Sequence, residues 1–483
     1  MKKLRIFDLL SSIQPIELKR FHKYMESDSL FNSRDYIPLV DTLLKFYPDF
    51  SNKELTMELL YSSLYPRKKY NNRVIISRLS ELNRMTENFI LTIKLEQDST
   101  LRNRILADAL MHRKAYETFD LLIAKVLNNE MNIKKISERQ LFELDQLFML
   151  KGQCLIEREK FIETHALLEE NIEVFLIYIM TRLLTMYCAI KNIENFQIAG
   201  TSVKILEAQM KNINIEGLVK SLKGNKLSAY MKVMLGIYKL YDKKVNDRVY
   251  FQAKKEFLGN IEVFEQISKF TIFSFLYSYT VTQINSRRTE FNKEIYDLLK
   301  LIIKHDAYRK AGNEYMPSML FREMVLTGLK HNDIKGTEKF ITDYTDNLAP
   351  LNKETMKMYS FGKINMHSKM YSKALKYYDN CPKNIQILNL DMRIDSLICL
   401  FELGMVDRYA EEINKNNALL ASSKNITVFQ RKSFRLFNNI MEKLMELELT
   451  PSAGSKAKLL KEVQSKKILH YKEWILSKLG RID

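Results

Sequence analysis

Only 13 glycines and 8 prolines punctuate 483 residues, far below an ordinary combined share of roughly 12%. Tight β-hairpin turns draw on those residues, because such turns need positive φ or a φ preset near −65°. A chain with so few of them cannot turn often. Long helices with short connections are what remains. A core for them is available, since 46% of the residues are hydrophobic, and that share excludes global disorder. The length exceeds one ordinary domain and requires two domains or one extended repeat array.

Helical periodicity runs through the chain. Leu4, Phe7, Leu9 and Leu10 form a first apolar stripe. Pro15 opens a second helix, at a position where its missing N–H costs nothing. Ile16, Leu18, Phe21 and Met25 are its apolar positions, against Glu17, Lys19, Arg20 and Lys23. Ser51 followed by Glu54 is a capping box for a further helix, which Tyr65-Pro66 ends. Asn71 or Asn72 caps the next, which carries Val74, Ile75, Leu79, Leu82, Phe89 and Ile90. Five helices over residues 1–95 are thus predicted to form a bundle. From Ser99 to Glu130 one long helix is expected, and Ser137 with Gln140 gives another capping box.

Beyond that point the useful question is internal repetition. A tetratricopeptide unit wants a small residue at position 8, an aromatic at 17, a small residue at 20 and a bulky one at 24. Gly362, Tyr371, Ala374 and Tyr378 stand at those spacings, with Phe361 at position 7. One unit later come Ile394, Leu397, Ile398 and Phe401, then Gly404 at the turn and Ala410 at the close approach. One unit earlier, Phe321, Met324 and Val325 precede Ile334, Thr337 and Ile341. Gly152, Phe161, Thr164 and Leu168 repeat the spacing nearer the start. Between about 190 and 315 helical hairpins are visible but no clean repeat. The expected fold is all-α: an N-terminal helical bundle (1–95), a tetratricopeptide-like right-handed α-solenoid (96–450) and a C-terminal capping helix (451–483). Trp474, the single tryptophan, stands with Tyr471, Ile475, Leu476 and Leu479 on that closing helix and is expected to be mostly buried against residues 390–445.

The segments SSIQPIELKRFHKYMESDSLFNS, LYPRKKYNN and ISRLSELNRMTENFI, together with YKEWILSKL near the end, resemble a large family of uncharacterised bacterial proteins. The likeness covers residues 5–95 and the tail around Trp474, and the body only as a pattern. It implies a five-helix head, a long tetratricopeptide-like body and a closing helix. It implies no reaction.

Chemistry is narrowed mainly by exclusion. No two glycines are closer than seven residues, so a loop of clustered glycines that cradles phosphate is ruled out. The seven histidines (22, 112, 165, 305, 331, 367 and 470) are scattered and show no metal-ligand spacing. Cys154, Cys188, Cys381 and Cys399 form no C-x-x-C pair, which fits a reducing compartment. No cofactor, no metal and no enzymatic activity are expected. The stretches 174–190 and 270–286 fall short of the roughly 20 apolar residues of a membrane span, so a cytoplasmic protein with no membrane partner is expected.

Two functional readings survive. In the first, a curved array of helix pairs binds a protein or peptide segment on its inner surface. Repeat positions 2, 5, 9 and 13 give Met319, Arg322, Met356, Tyr359, Lys363, His367, Met392 and Asp395 as groove residues. The second starts from the charge, 76 basic against 58 acidic residues. Residues 204–255 hold twelve bases against four acids, and residues 456–481 eight against two. Arg67, Lys68, Lys69, Arg73, Arg78 and Arg84 form a third basic patch, on a helix order similar to winged-helix regulators. Such patches attract polyanions, and nucleic acid is therefore the alternative partner. Arg73, Arg78 and Arg84 are five and six residues apart, however, and do not share a helix face.

Overall fold

A computed structural model describes residues 4–27, 36–50, 52–132, 134–195, 204–222, 225–241, 247–309, 315–422, 426, 428–466 and 469–482. Among them are 24 α-helices and no strand, with isolated bridges only at Ile136–Phe264 and Met316–Leu348. The fold is all-α. Two compact units are present: Met1–Lys134 with Glu138–Met180, and Lys135–Ser137 with Thr181–Asp483. The division falls inside the Phe161–Asn195 helix.

The first unit opens with five helices: Arg5–Ser12, Leu18–Ser27, Ile37–Leu44, Met57–Leu64 and Asn72–Gln97. Their stripes meet in one apolar core that includes Leu10, Phe21, Leu39, Leu60, Ile75 and Leu82. Local signals act as expected at three boundaries. Pro15 opens a 3₁₀ turn in which Gln14 and Glu17 cap each other, Tyr65 ends the fourth helix, and the Asn71 side chain accepts the N–H groups of Arg73 and Val74. The fourth helix starts later than Glu54 suggested. It begins at Met57, and Thr56 Oγ1 accepts the Leu59 N–H at 3.1 Å. Ser51 lies outside the described residues.

The predicted single helix from 99 to 130 is two, Ser99–His112 and Tyr116–Met131, turned at Lys114 with φ 57°. This break is one instance of a rule. Within each of six helix pairs, the connection holds one residue in the left-handed region: Lys114, Glu159, Arg287, Asn332, Lys369 and Gly404. The following N–H then bonds the carbonyl five residues back, as Ala115 to Leu110, Asp333 to Gly328, Met370 to Asn365 and Met405 to Leu400, at 2.8–3.0 Å. That arrangement is the Schellman termination, which usually takes glycine at this position. Here only Gly404 does. The chain thus makes its turns without the residue whose scarcity first suggested long helices.

In the second unit the pairs are Asn225–Lys239 with Asp247–Gly259, Gln266–Asn285 with Phe291–Lys304, Ser318–Lys330 with Ile334–Tyr344, Pro350–His367 with Tyr371–Asn380, and Gln386–Glu402 with Val406–Ser422. First helices also touch across pairs: 318–330 meets 350–367, which meets 386–402. The predicted seam is close-packed at Gly362, where an added Cβ would be driven into the Tyr378 ring, and Ala374 is buried. Two register details differ. Ala410 is exposed, and Tyr409 turns inward to donate to the Met441 carbonyl at 2.6 Å. Phe161 and Leu168 are exposed, while Thr164 and Leu167 face inward. Tyr409 thus faces the following helix, Val428–Leu449, where a small residue was expected at the close approach.

The Phe161–Ile193 stretch of the long helix is long and apolar enough to cross a membrane by length and composition, and an 18-residue window within it reaches a mean hydropathy of 1.6. It extends beyond the 174–190 segment considered from sequence. The core helix of a soluble protein passes the same test. The Gln266–Asn285 helix, by contrast, buries Ile272, Phe273, Phe275, Leu276 and Tyr279.

Candidate functional site

The predicted groove residues sit on three first helices in contact. Met319 and Arg322 are on Ser318–Lys330; Met356, Tyr359, Lys363 and His367 on Pro350–His367; Met392 and Asp395 on Gln386–Glu402. The expected open groove is not what they form. Met356, Tyr359, Lys363, Met392 and Asp395 are buried, Arg322 is mostly so, and only Met319 and His367 are exposed. The reason is charge. Arg322 and Lys363 find carboxylates within the protein, and a buried ion needs such partners to offset its lost hydration.

Two linked clusters result. Asp391 Oδ2 accepts from Arg322 Nε at 2.7 Å and from the Tyr359 hydroxyl at 3.0 Å. Asp395 Oδ2 pairs with Lys363 Nζ at 2.6 Å and accepts from the Tyr378 hydroxyl at 2.8 Å. The Lys363 ammonium also lies 5.4 Å from the Tyr359 ring centre, which ties the clusters together. The other Asp395 oxygen accepts from the Tyr471 hydroxyl at 2.7 Å. Seven residues on, Glu402 receives Trp474 Nε1 at 2.7 Å and Lys478 Nζ at 2.6 Å. Trp474 packs edge-on against Phe401, with ring centres 5.5 Å apart. The tryptophan is therefore half-buried against the 386–402 helix, less than the mostly buried position expected from sequence.

Burial drags the Lys363 ammonium down, but Asp395 beside it more than reverses this and holds it charged. The phenols of Tyr378 and Tyr471 are pushed well up, by burial first and then by Asp395, so both stay donors. His470, whose ring lies against Phe434 and Phe437, is shifted down chiefly by burial. Lys363, Tyr378 and Tyr471 hold their protons firmly and His470 favours its neutral form, so these groups fix geometry rather than exchange protons.

Asp391, Tyr378, Tyr471 and Glu402 were not predicted as site residues. Asp391 was legible, since it stands one turn before Asp395 on the same helix face. The contacts of Tyr471 and Glu402 are 76 and 72 residues distant in sequence and carry no local signal.

Elsewhere, Arg78 of the basic patch turns inward, donating to the hydroxyls of Tyr36 at 2.8 Å and Tyr65 at 3.1 Å. Arg67, Lys68, Lys69, Arg73 and Arg84 are exposed. All four cysteines are buried free thiols, and burial pushes Cys381 up to about 11 and Cys399 to about 12. Among the described residues, no group of three or more His, Cys, Asp or Glu is placed to hold a metal ion. Beside Met319 a cleft of about 280 Å³ is walled by Phe273, Tyr277, Ile302, Tyr308 and Leu320.

Comparison with protein-family models, with curated proteins and with solved structures found no match to this chain.

Proposed function

We propose that the protein is a non-enzymatic, cytoplasmic scaffold whose helix pairs stack in the tetratricopeptide manner, as a right-handed α-solenoid closed by C-terminal helices, and that it binds a helical segment of a protein partner. The resemblance of residues 5–95 to a family of bacterial proteins with that architecture points the same way. One observation carries the reading. Asp395 and Glu402, on the row of first helices, already hold a helical segment through Tyr471, Trp474 and Lys478. Aromatic anchors and buried polar contacts of this kind dominate protein recognition. The exposed Met319 and its apolar cleft extend the row with a socket sized for partner side chains.

Affinity purification of the intact chain, with and without nuclease, followed by cross-linking mass spectrometry, tests this reading. The expected result is a nuclease-resistant protein partner cross-linked within residues 315–402. Recovery that depends wholly on nucleic acid would favour the alternative regulator, in which the exposed Arg67, Lys68, Lys69 and Arg73 meet phosphates. Binding to duplex or single strands would then fall steeply with salt, and changing those four residues to glutamine would flatten the slope.

A further inference from the structure

The tail side chains meet their acceptors in chain order, Tyr471 at Asp395, then Trp474 and Lys478 at Glu402. Asp395 and Glu402 are seven residues apart on one helix, two turns or about 10.5 Å. Trp474 and Lys478 stand one turn apart on the Lys472–Leu479 helix, and Tyr471 precedes them as its N-cap, with φ 52°. Asp395 does not depend on the tail for its neutralisation, because Lys363 and Tyr378 from the body already meet it. Arg322 and Tyr359 likewise complete Asp391. The Asp391 and Asp395 part of the row is thus completed by the body, whereas the half-buried Glu402 takes its ammonium, Lys478, from the tail.

The closing helices bury their apolar side chains differently. Ala453–Ser465 packs against both Val428–Leu449 and Lys472–Leu479, with Leu459, Val463, Ile475 and Leu479 buried, and His470 at the start of the tail rests on Phe434 and Phe437. Toward the 386–402 helix they offer a phenol, an indole and an ammonium. Charge is complementary as well: residues 456–481 carry eight bases and two acids, and the row offers carboxylates.

We propose that residues 469–482 are an intramolecular ligand of the Asp395–Glu402 row, and that the external partner is a helical protein segment presenting an indole and an ammonium one turn apart, with a phenol at the residue before the helix, which must displace the tail. This rests on the scaffold reading and adds to it a self-inhibited state. Partner affinity is lowered by whatever fraction of molecules keeps the tail docked.

Trp474, the single tryptophan, reports docking in the intact chain. Glu402→Gln is expected to shift its emission to the red and at least double its quenching by acrylamide, with the far-UV circular dichroism unchanged. A fluorescein-labelled peptide of residues 469–482 serves as the probe partner. It is expected to bind the full-length Tyr471→Ala/Trp474→Ala/Lys478→Ala variant at least tenfold more tightly than the native chain, and to lose that gain when Glu402→Gln is added. Equal or absent binding by a folded triple variant overturns the proposal, as does a triple variant that unfolds, which would make the tail an integral part of the fold. Concentration-dependent dimers formed by tail exchange would also overturn it, in favour of a second copy as occupant. If the peptide fails while partner cross-links still fall within residues 315–402, only the role of the tail is lost; cross-links elsewhere remove the scaffold reading itself.

Discussion

The five-helix head and the 318–402 helices obey the same helical period but fill their interiors in opposite ways. In the head the core is apolar, and Thr86 is the one buried polar side chain among its described residues. The later helices bury Lys363, Asp391 and Asp395 together with Thr337, Thr355 and Ser360. An apolar interior tolerates rearrangement at a graded cost. A charged one tolerates little, because each group removed leaves another without its partner.

The largest expected effect follows from that contrast. Lys363→Ala strands Asp395 in a buried position and should cost about 3–5 kcal/mol. The double change Lys363→Met/Asp395→Leu should recover most of this, as measured by chemical denaturation. If the single and double variants are equally destabilised, the pair is held by packing rather than by charge. In the head, Leu82→Ala should cost about 2–5 kcal/mol, graded by the cavity left behind, and no second substitution of charge should relieve it. Gly362→Ala comes next. Its methyl group would strike the Tyr378 ring, at about 1–3 kcal/mol, whereas Gly454→Ala meets nothing within 4 Å and should leave the melting temperature where it is.

Turns give a smaller difference. Lys369 holds φ at 60°, and relieving a left-handed side-chain residue with glycine should stabilise by about 1 kcal/mol, while Gly404→Ala should lose a similar amount. Smallest is a pH effect confined to the second unit. Burial lowers the pKa of His470, which is faced by Asp391, Asp395 and Lys363. The unfolded chain therefore binds this proton first as pH falls. The contribution is fully present above the ordinary histidine value near 6.5, and is lost as pH drops through the lowered one. Denaturation midpoints measured from pH 8 to 5 should show this loss, and His470→Gln should remove it.

Much of the architecture was legible because it is local. Pro15, Asn71, Tyr65-Pro66 and Gly404 announce boundaries through properties of single residues. The break at Lys114 was not legible, since a lysine in the left-handed region looks like any helix-forming lysine. Spacing gathered Arg322, Tyr359, Lys363 and Asp395 on one face, as the structure has them. It could not show that the face is neutralised from within, because ion pairing depends on three helices and a tail that meet only in three dimensions. Arg78 illustrates the same limit. Its charge suggested phosphate, and Tyr36, forty-two residues away, claims it instead.

The four thiols lend themselves to a use of another kind. Cys154, Cys188, Cys381 and Cys399 are all buried, and burial raises the pKa of each, so the native chain should be nearly silent to alkylating reagents at neutral pH. A thiol then reacts only when its surroundings open, and its modification rate becomes a clock for that local excursion. Mapped by mass spectrometry, four such clocks at four points of the chain would give the order in which its helices come apart, without adding a label to any of them.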